Sequence, residues 1–252
     1  MYDSHKDRKL ENINMAILTP EQRYNRRQIM EHSYRSGLSH LGSCLSAVDI
    51  IDSIYRIKKK DEQFVLSNGH SGIALYVILE KYGLMKKSVI EKLCIHPDRN
   101  PGLGICVSTG SLGHGLPIAL GIALADRKKN VYCVISDGEC SEGSVWEALR
   151  IGIEREVSNL KIALNANGWG AYGRISLQQL LDRIIGFGYA AVTVNGHNMR
   201  ELSKAFKRKT NGKPLLIFAK TSVEQFSFLK GQDAHYYMMT EEDYKSAMDI
   251  LK

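Results

Sequence analysis

Short apolar runs alternate along this chain with longer segments that carry a stripe of apolar positions. The runs FVL (64–66), VYCVI (131–135), LKIAL (160–164), AAVTV (190–194) and LLIFA (215–219) are apolar on both parities. That is the pattern of strands covered on both faces. Between them lie segments of helical length. Thr19-Pro20-Glu21 reads as an N-cap with proline in the first turn, opening a helix through about Tyr34. Ser43 can cap a second helix, with Leu45, Val48, Ile51 and Tyr55 on one face. SGIALYVILEKYG reads as a helix that stops at Gly83. LGHGLPIALGIALADRKK becomes an almost wholly apolar helix, expected to be buried. SEGSVWEALRIGIERE, MRELSKAFKRK and TEEDYKSAMDILK follow, the last with Thr240 and Asp243 at capping-box spacing. Strands alternating with helices predict βαβ units, one open α/β domain over 1–252 and a mostly parallel sheet. Ligands of such folds bind at the carboxyl ends of the strands.

A chain of 252 residues buries about three quarters of its unfolded surface, enough for a full core. The longest apolar stretch, Leu116 to Ala125, contains Pro117 and Gly121 and is too short to span a bilayer. The polar start MYDSHKDRKLENINM lacks the apolar core of a secretory signal. Five cysteines, without paired CxxC spacing, fit a reducing compartment and the cytoplasm rather than a disulfide framework or a zinc site. The net charge of +7 gathers in RIKKK (56–60), DRKKN (126–130) and KAFKRKTNGK (204–213). These clusters fall at expected helix C-termini, where cations complement the dipole. No aromatic platform accompanies them, so no nucleic-acid partner is expected and a nucleic-acid-binding module is a reading supported by charge alone; with no spanning stretch, no membrane partner is expected either.

VISDGECSEG (134–143) carries the first definite chemistry. Asp137 sits on a glycine turn at the end of a strand, with Glu139 and Glu142 just beyond. LNANGWG (164–170) ends the next strand. If the two strands lie close in the sheet, Asp137 and Asn167 emerge on one edge, beside the N-terminus of the helix that begins near Glu142. A carboxylate, an amide oxygen and free helical N–H groups suit a hard cation carrying phosphate oxygens, Mg²⁺ above all. Gly138 and Gly168 would let a ligand approach the backbone. Taken singly, D-G and N-G are ordinary turn dipeptides; the pair across a strand–helix–strand is more specific.

SDGECSEG followed by NANG closely resembles the thiamine-diphosphate fingerprint. The text around it is similar to the diphosphate-binding domain of transketolases. GLSHLGSCLSAVDI (37–50), FVLSNGHSGIALY (64–76), VSTGSLGHGLPIALGIALA (107–125), EGSVWEAL, VNGHN and KPLLIFAKTS occur in family order over about residues 20–240. The resemblance implies a three-layer α/β/α thiamine-diphosphate-binding fold. It also implies transfer of a two-carbon ketol unit from a ketose to an aldose, often phosphorylated sugars. Asp137, Asn167 and the carbonyl of Trp169 would hold Mg²⁺, with Ca²⁺ or Mn²⁺ as substitutes. Gly138, His70, Asn167 and Glu142 would face the diphosphate, and Gly110 and Leu112 the aminopyrimidine. Glu142 and Glu147 match glutamates near the subunit interface. His40, His96 and His235 match histidines around the reactive carbon; an imidazole titrates near neutrality and trades protons with sugar hydroxyls. His40 and His235 count also among the cofactor contacts. His114 and His197 read as structural. The family's pyrimidine-binding and C-terminal domains have no counterpart here. The implied partner is therefore a separate C-terminal subunit carrying the catalytic glutamate, in an α₂β₂ assembly.

Three departures stand out. Ser136 replaces the first glycine of the metal motif, Leu41 replaces a proline after His40, and VEQFSFLKGQDAHYY (223–237) replaces a glycine-rich loop ending in His-Gly. The last predicts a substrate preference unlike that of the housekeeping pentose-phosphate reaction. Other readings are the equivalent subunit of a 1-deoxyxylulose-phosphate synthase or 2-oxoacid dehydrogenase, and a non-catalytic scaffold or regulatory paralogue of the same fold.

Overall fold

The computed structural model describes residues 18–210 and 212–252; the polar start MYDSHKDRKLENINM lies outside them. The elements are α1 (Pro20–Arg35), α2 (Leu41–Tyr55), β1 (Gln63–Leu66), α3 (Gly72–Lys81), α4 (Lys87–Ile90), α5 (Gly115–Ala125), β2 (Val131–Ser136), α6 (Gly143–Glu154), β3 (Leu160–Ala166), β4 (Trp169–Gly170), β5 (Gly173–Arg174), α7 (Leu177–Gly186), β6 (Ala190–Asn195), α8 (Met199–Phe206), β7 (Leu215–Lys220) and α9 (Glu241–Ile250). Five strands form one sheet in the order β1-β2-β3-β7-β6, and every pairing in it is parallel. β4 and β5 form a small antiparallel hairpin just after β3.

The strands explain the layers. In β2, Tyr132 and Val134 point into one core with α1, α2, α3, α8 and α9. Val131, Cys133 and Ile135 point into the other, with α5, α6 and α7. The period-2 alternation of a strand thus feeds two apolar cores, giving the α/β/α arrangement. α1 begins at the expected cap: Thr19 Oγ1 accepts from Gln22 N, and Gln22 Oε1 accepts from Thr19 N. α9 begins with the Thr240/Asp243 capping box. α3 ends at Lys81 with Tyr82 as its C-cap, and Gly83 follows with φ 71°. Among the described residues no helix is long and apolar enough to cross a membrane.

Three expectations are corrected. α2 is not capped by Ser43; it starts at Leu41, and its cap position, His40, makes no side-chain capping bond. Nor does α2 bury only one face, because all its residues are buried. It lies in the middle of one helical layer, packed against α1, α3 and α8. α5 is not fully buried: Leu116, Ala119, Leu120 and Ala123 face the core, while Ile118 and Leu124 are exposed. α7 and the β4–β5 hairpin were not anticipated. α7 has a strong apolar stripe, and β4–β5 is too short to carry any period.

A helix buried on all sides must satisfy its polar groups internally. Asp49 takes two hydrogen bonds from the guanidinium of Arg26, at 3.1 and 2.6 Å, and one from His197 Nδ1 at 2.9 Å. Burial alone would raise its carboxyl, but Arg26 and His197 outweigh that and hold it well below the usual carboxylate range. Gln225 Oε1 accepts from Arg26 Nε at 2.8 Å, and His197 Nε2 accepts from Ser222 N at 3.1 Å. The network joins α1, α2, the turn before α8 and the segment after β7. His197 is structural, as its sequence context suggested.

Removing one member of a buried ion pair strands the other, which costs about 3–5 kcal/mol. Arg26→Met should therefore lower the unfolding free energy by about that much in urea denaturation. Arg26→Met with Asp49→Leu should recover most of it. A single variant as stable as the parent would refute this account of α2.

Candidate active site

The site is built at the carboxyl edge of the sheet. β2 and β3 are adjacent and parallel, with Ser136 opposite Asn165. Asp137 and Asn167 therefore leave neighbouring strands on the same edge, and both are buried. Asp137 Oδ1 accepts from Gly138 N at 3.0 Å and Oδ2 from Gly168 N at 2.6 Å. Asn167 Oδ1 accepts from Trp169 N at 2.9 Å. Gly168 has φ 85°, a conformation that turns the chain back toward Asp137 and favours glycine. A Cβ placed on Gly138 would lie 3.8 Å from the Trp169 carbonyl oxygen, so that carbonyl faces the same turn.

These groups fit a hard divalent cation. The donors are a carboxylate, an amide oxygen and a backbone carbonyl, all oxygen. Burial pushes the Asp137 carboxyl up to about 7 despite its backbone N–H partners, and a bound cation would favour the ionised form. The space above Gly138 fits a diphosphate equally well. A Cβ there would meet nothing in the protein closer than 3.4 Å, so internal packing does not account for the missing side chain. α6 starts beside this turn, at Gly143. Glu142 precedes it, exposed and without a capping bond. Glu147 is also exposed and pairs with Arg150.

A second cluster adjoins the edge. The ring of His40 lies 5.4 Å from that of His70 and 6.2 Å from that of His96. The rings of His70 and His235 are 6.4 Å apart. Four histidines from four separate segments thus share one space. His96 seats directly on the glycine segment: a Cβ on Gly110 would come within 2.9 Å of its ring, and Gly110 has φ 147°. Leu112, half-buried, follows two residues later. His235 Nδ1 is 2.6 Å from Ser43 Oγ, which gives Ser43 the role of holding this ring instead of capping α2. His40 adopts φ 62°, ψ 24°, left-handed for a residue with a side chain. His40 N donates to the His235 carbonyl at 2.8 Å, and Cys44 N donates to the His40 carbonyl. Such conformations cost roughly 1–3 kcal/mol and gather at functional sites. His40 Nδ1 is buried without a hydrogen-bond partner.

Burial dominates the titration of this cluster. It pulls His70 down to about 3 and His235 to about 4, and neighbouring imidazoles push the same way. His40 is lowered for the same reasons. These three rings are neutral at physiological pH, each with one N–H donor and one acceptor nitrogen.

Sequence reasoning left two participants unassigned. Glu139, noted only as an acid near the turn, is fully buried. It accepts from Ser67 Oγ at 2.6 Å, Gly113 N at 3.0 Å and Ser136 N at 3.0 Å. Its signal was present as S-x-x-E over residues 136–139. Tyr236 is the other: its ring lies 6.1 Å from that of His40, and its hydroxyl donates to Ala171 O at 3.3 Å. His114 is exposed at the start of α5.

Fold and edge chemistry define an α/β protein that receives a ligand at the carboxyl ends of parallel strands. The family model described as transketolase, thiamine diphosphate binding domain, matches residues 30–251, and the chain belongs to that family. It is 31% identical over 253 residues to one of the subunits of the apulose-4-phosphate transketolase of Phocaeicola vulgatus, covering 89% of this chain and 90% of that protein. It is 31% identical over 256 residues to the 6-deoxy-6-sulfo-D-fructose transketolase subunit SqwG of Clostridium sp. (strain MSTE9), covering 90% and 93%. Human transketolase is 34% identical over 211 residues, covering 74% of this chain but 34% of the human protein. The crystal structure of transketolase from Campylobacter jejuni superposes with a TM-score of 0.80 at 26% identity, covering 95% of this chain and 43% of that one. The chain thus spans nearly the whole of the Phocaeicola and Clostridium proteins and about a third of the human enzyme.

The buried imidazoles make stability depend on pH. Folded His70 and His235 titrate near 3 and 4, against about 6.5 when unfolded. The unfolded chain takes up more protons in that window, so their contribution is complete above 6.5 and is lost as pH falls toward 4. Asp137, raised by burial, pulls the other way, so the informative quantity is a difference. In cofactor-free protein, His70→Gln should lose less thermal stability than the parent between pH 6.5 and 4.5. Identical slopes would show that His70 is not held neutral by burial.

Proposed function

We propose that this chain is the diphosphate-binding subunit of a thiamine-diphosphate-dependent transketolase, acting with a second polypeptide. The observation that carries the reading is the in-register pairing of β2 with β3, which puts Asp137 and Asn167 on one edge. In this reading Asp137, Asn167 and the Trp169 carbonyl hold Mg²⁺, and Ca²⁺ or Mn²⁺ can replace it. Gly138 gives the diphosphate its approach, with His70, Asn167 and Glu142 around its oxygens. Gly110 and Leu112 border the aminopyrimidine. When bound, the cofactor supplies the nucleophilic carbon on which a two-carbon ketol unit is carried.

The chain's own residues bind, orient and move protons. His40, His96 and His235 face the space around that carbon. Neutral His40 exchanges protons with a sugar hydroxyl, and His235, held at Nδ1 by Ser43, meets the substrate through at most its other ring nitrogen, so no net charge enters a desolvated site. His40 also borders the cofactor. Its Nδ1 is buried without a partner, which leaves the other ring nitrogen to meet a ligand, and Ser43 fixes the ring of His235. Glu142 and Glu147 lie on the surface where a second polypeptide would pack.

The two near-full-length relatives are named as parts of transketolases, one for apulose 4-phosphate and one for 6-deoxy-6-sulfofructose. On that basis we assign this chain a C-terminal partner subunit bearing the catalytic glutamate, in an α₂β₂ assembly. As substrates we assign sugars with an anionic terminal group. The unusual loop after β7 supports a preference other than xylulose 5-phosphate with ribose 5-phosphate. The free thiols of Cys44, Cys94, Cys106, Cys133 and Cys140 support a cytoplasmic setting. The scaffold reading has less support, since a scaffold has no use for a buried carboxylate aimed at an oxygen-lined edge.

The test is a purification. Tagged chain, isolated from its native host in Mg²⁺, should bring down one stoichiometric second polypeptide and thiamine diphosphate. Asp137→Ala should keep the polypeptide and lose at least about nine-tenths of the cofactor, because a metal ligand is gone. Recovery of the chain alone and without thiamine would put the scaffold reading first. Full ketol transfer by the isolated chain would end the two-subunit reading.

A further inference from the structure

We infer that Glu139 is a positioning residue that sets the spacing between the metal end and the aminopyrimidine end of the cofactor site. The inference rests on the transketolase reading proposed for this chain.

Three loops meet at this one side chain. Oε2 accepts from Ser136 N, on the residue before Asp137. Oε1 accepts from Gly113 N, in the glycine segment after Gly110 and Leu112. Oε1 also accepts from Ser67 Oγ, at the end of β1 and three residues before His70. In return, Glu139 N donates to Ser136 Oγ at 3.3 Å. Ser136 and Glu139 therefore form a reciprocal capping box around the Asp137–Gly138 turn. That gives the departure at Ser136 a role: its hydroxyl helps clamp the turn.

The carboxylate is fully buried, and its bonding is cooperative in a low-dielectric interior. Each of the two ends has other anchors. Asp137 is held by Gly138 N and Gly168 N. The glycine segment is held by Thr109 Oγ1 donating to Leu66 O and by Ser144 Oγ donating to Gly113 O. Glu139 is the side chain that bonds to both. Its loss should leave each end formed and disturb the distance between them. A ligand occupying one end should be indifferent; a ligand spanning both should bind more weakly.

Glu139→Asp tests this. It keeps the charge and can still serve Ser136 N next to it, but one methylene fewer withdraws it from Gly113 and Ser67. Glu139→Gln is the second variant, in case the first does not fold. It keeps the reach, but its amide N–H₂ must oppose either Ser136 N–H or Gly113 N–H. The measurement is calorimetric titration of the co-purified assembly, stripped of cofactor and supplied with excess Mg²⁺. One titrant is thiamine diphosphate; the other is inorganic pyrophosphate, which occupies the metal end alone. Losing one or two hydrogen bonds to a charged group should raise the Kd of thiamine diphosphate about tenfold. Pyrophosphate should stay within about threefold, and the stripped assembly should still unfold in one cooperative transition above the temperature of the titration. Equal weakening of both ligands would mean that Glu139 only supports the metal turn; no weakening would mean that it does nothing for the ligand. Either result overturns the inference. Wild-type protein that binds pyrophosphate but not thiamine diphosphate would overturn the proposed function, and this inference with it.

Discussion

The site depends on the parallel, in-register pairing of β2 with β3. Because Ser136 stands opposite Asn165, two residues far apart in sequence leave the sheet at the same height. Had the register slipped by one residue, the faces of β3 would exchange. Ile162 and Leu164, now in the core with α5, α6 and α7, would turn toward α2. Ala163 would turn the other way. Two well-filled cores forbid that slip, so the same apolar side chains that stabilise the fold also fix the geometry of Asp137 and Asn167. The backbone then completes the site: Gly168 N reaches back to Asp137 only because β3 ends where it does.

Most of this fold was legible from patterning because the strands are apolar on both parities and the first and last helices are capped at readable positions. Thr19 and Thr240 cap as their sequences suggest. What patterning missed has identifiable causes. α2 carries Asp49, Asp52 and several serines, which reads as a polar face. Asp49 is in fact buried against Arg26, and Asp52 takes bonds from Lys81 and Tyr82. Partners that distant are invisible to a periodicity argument. The apolar residues of α5 suggested full burial, yet Ile118 and Leu124 are exposed; hydrophobicity fixes what can be buried, and topology decides what is. Asp137 and Asn167 were singled out by motif spacing, and the histidines by the resemblance to the transketolase family. Ser43 and Tyr236 were not, because each takes its place from contacts distant in sequence; Glu139 had a local S-x-x-E signal, but its bonds to Ser67 and Gly113 are distant.

Polar groups inside this protein fall into two kinds. Around α2 one network is well partnered: Arg26, Asp49, His197 and Gln225 bond one another and the backbone. At the sheet edge they are buried but incompletely satisfied. Asp137 has only backbone N–H partners for its carboxylate, and His40 Nδ1 has none. Buried groups without full partnership are costly, so the second kind reduces the stability of the ligand-free chain.

The segment after β7 shows how the two kinds are joined. It lacks the expected glycines, yet it is packed. Gln225 bonds Arg26 and the Leu45 carbonyl, Leu229 and Ala234 are buried, and Phe226, Phe228 and Tyr237 stack in series. That packing delivers His235 to Ser43 and its carbonyl to His40 N. The left-handed turn at His40, which α2 does not stabilise through any side-chain cap, is thereby held from outside the helix. A glycine-rich loop would lack the side-chain anchors to hold that conformation so firmly. Gln225, Phe226 and Leu229 anchor the segment, and it places Tyr236 beside His40. The sequence departure is thus a packed segment in place of a glycine-rich one, with groups that reach Arg26, Ser43 and His40.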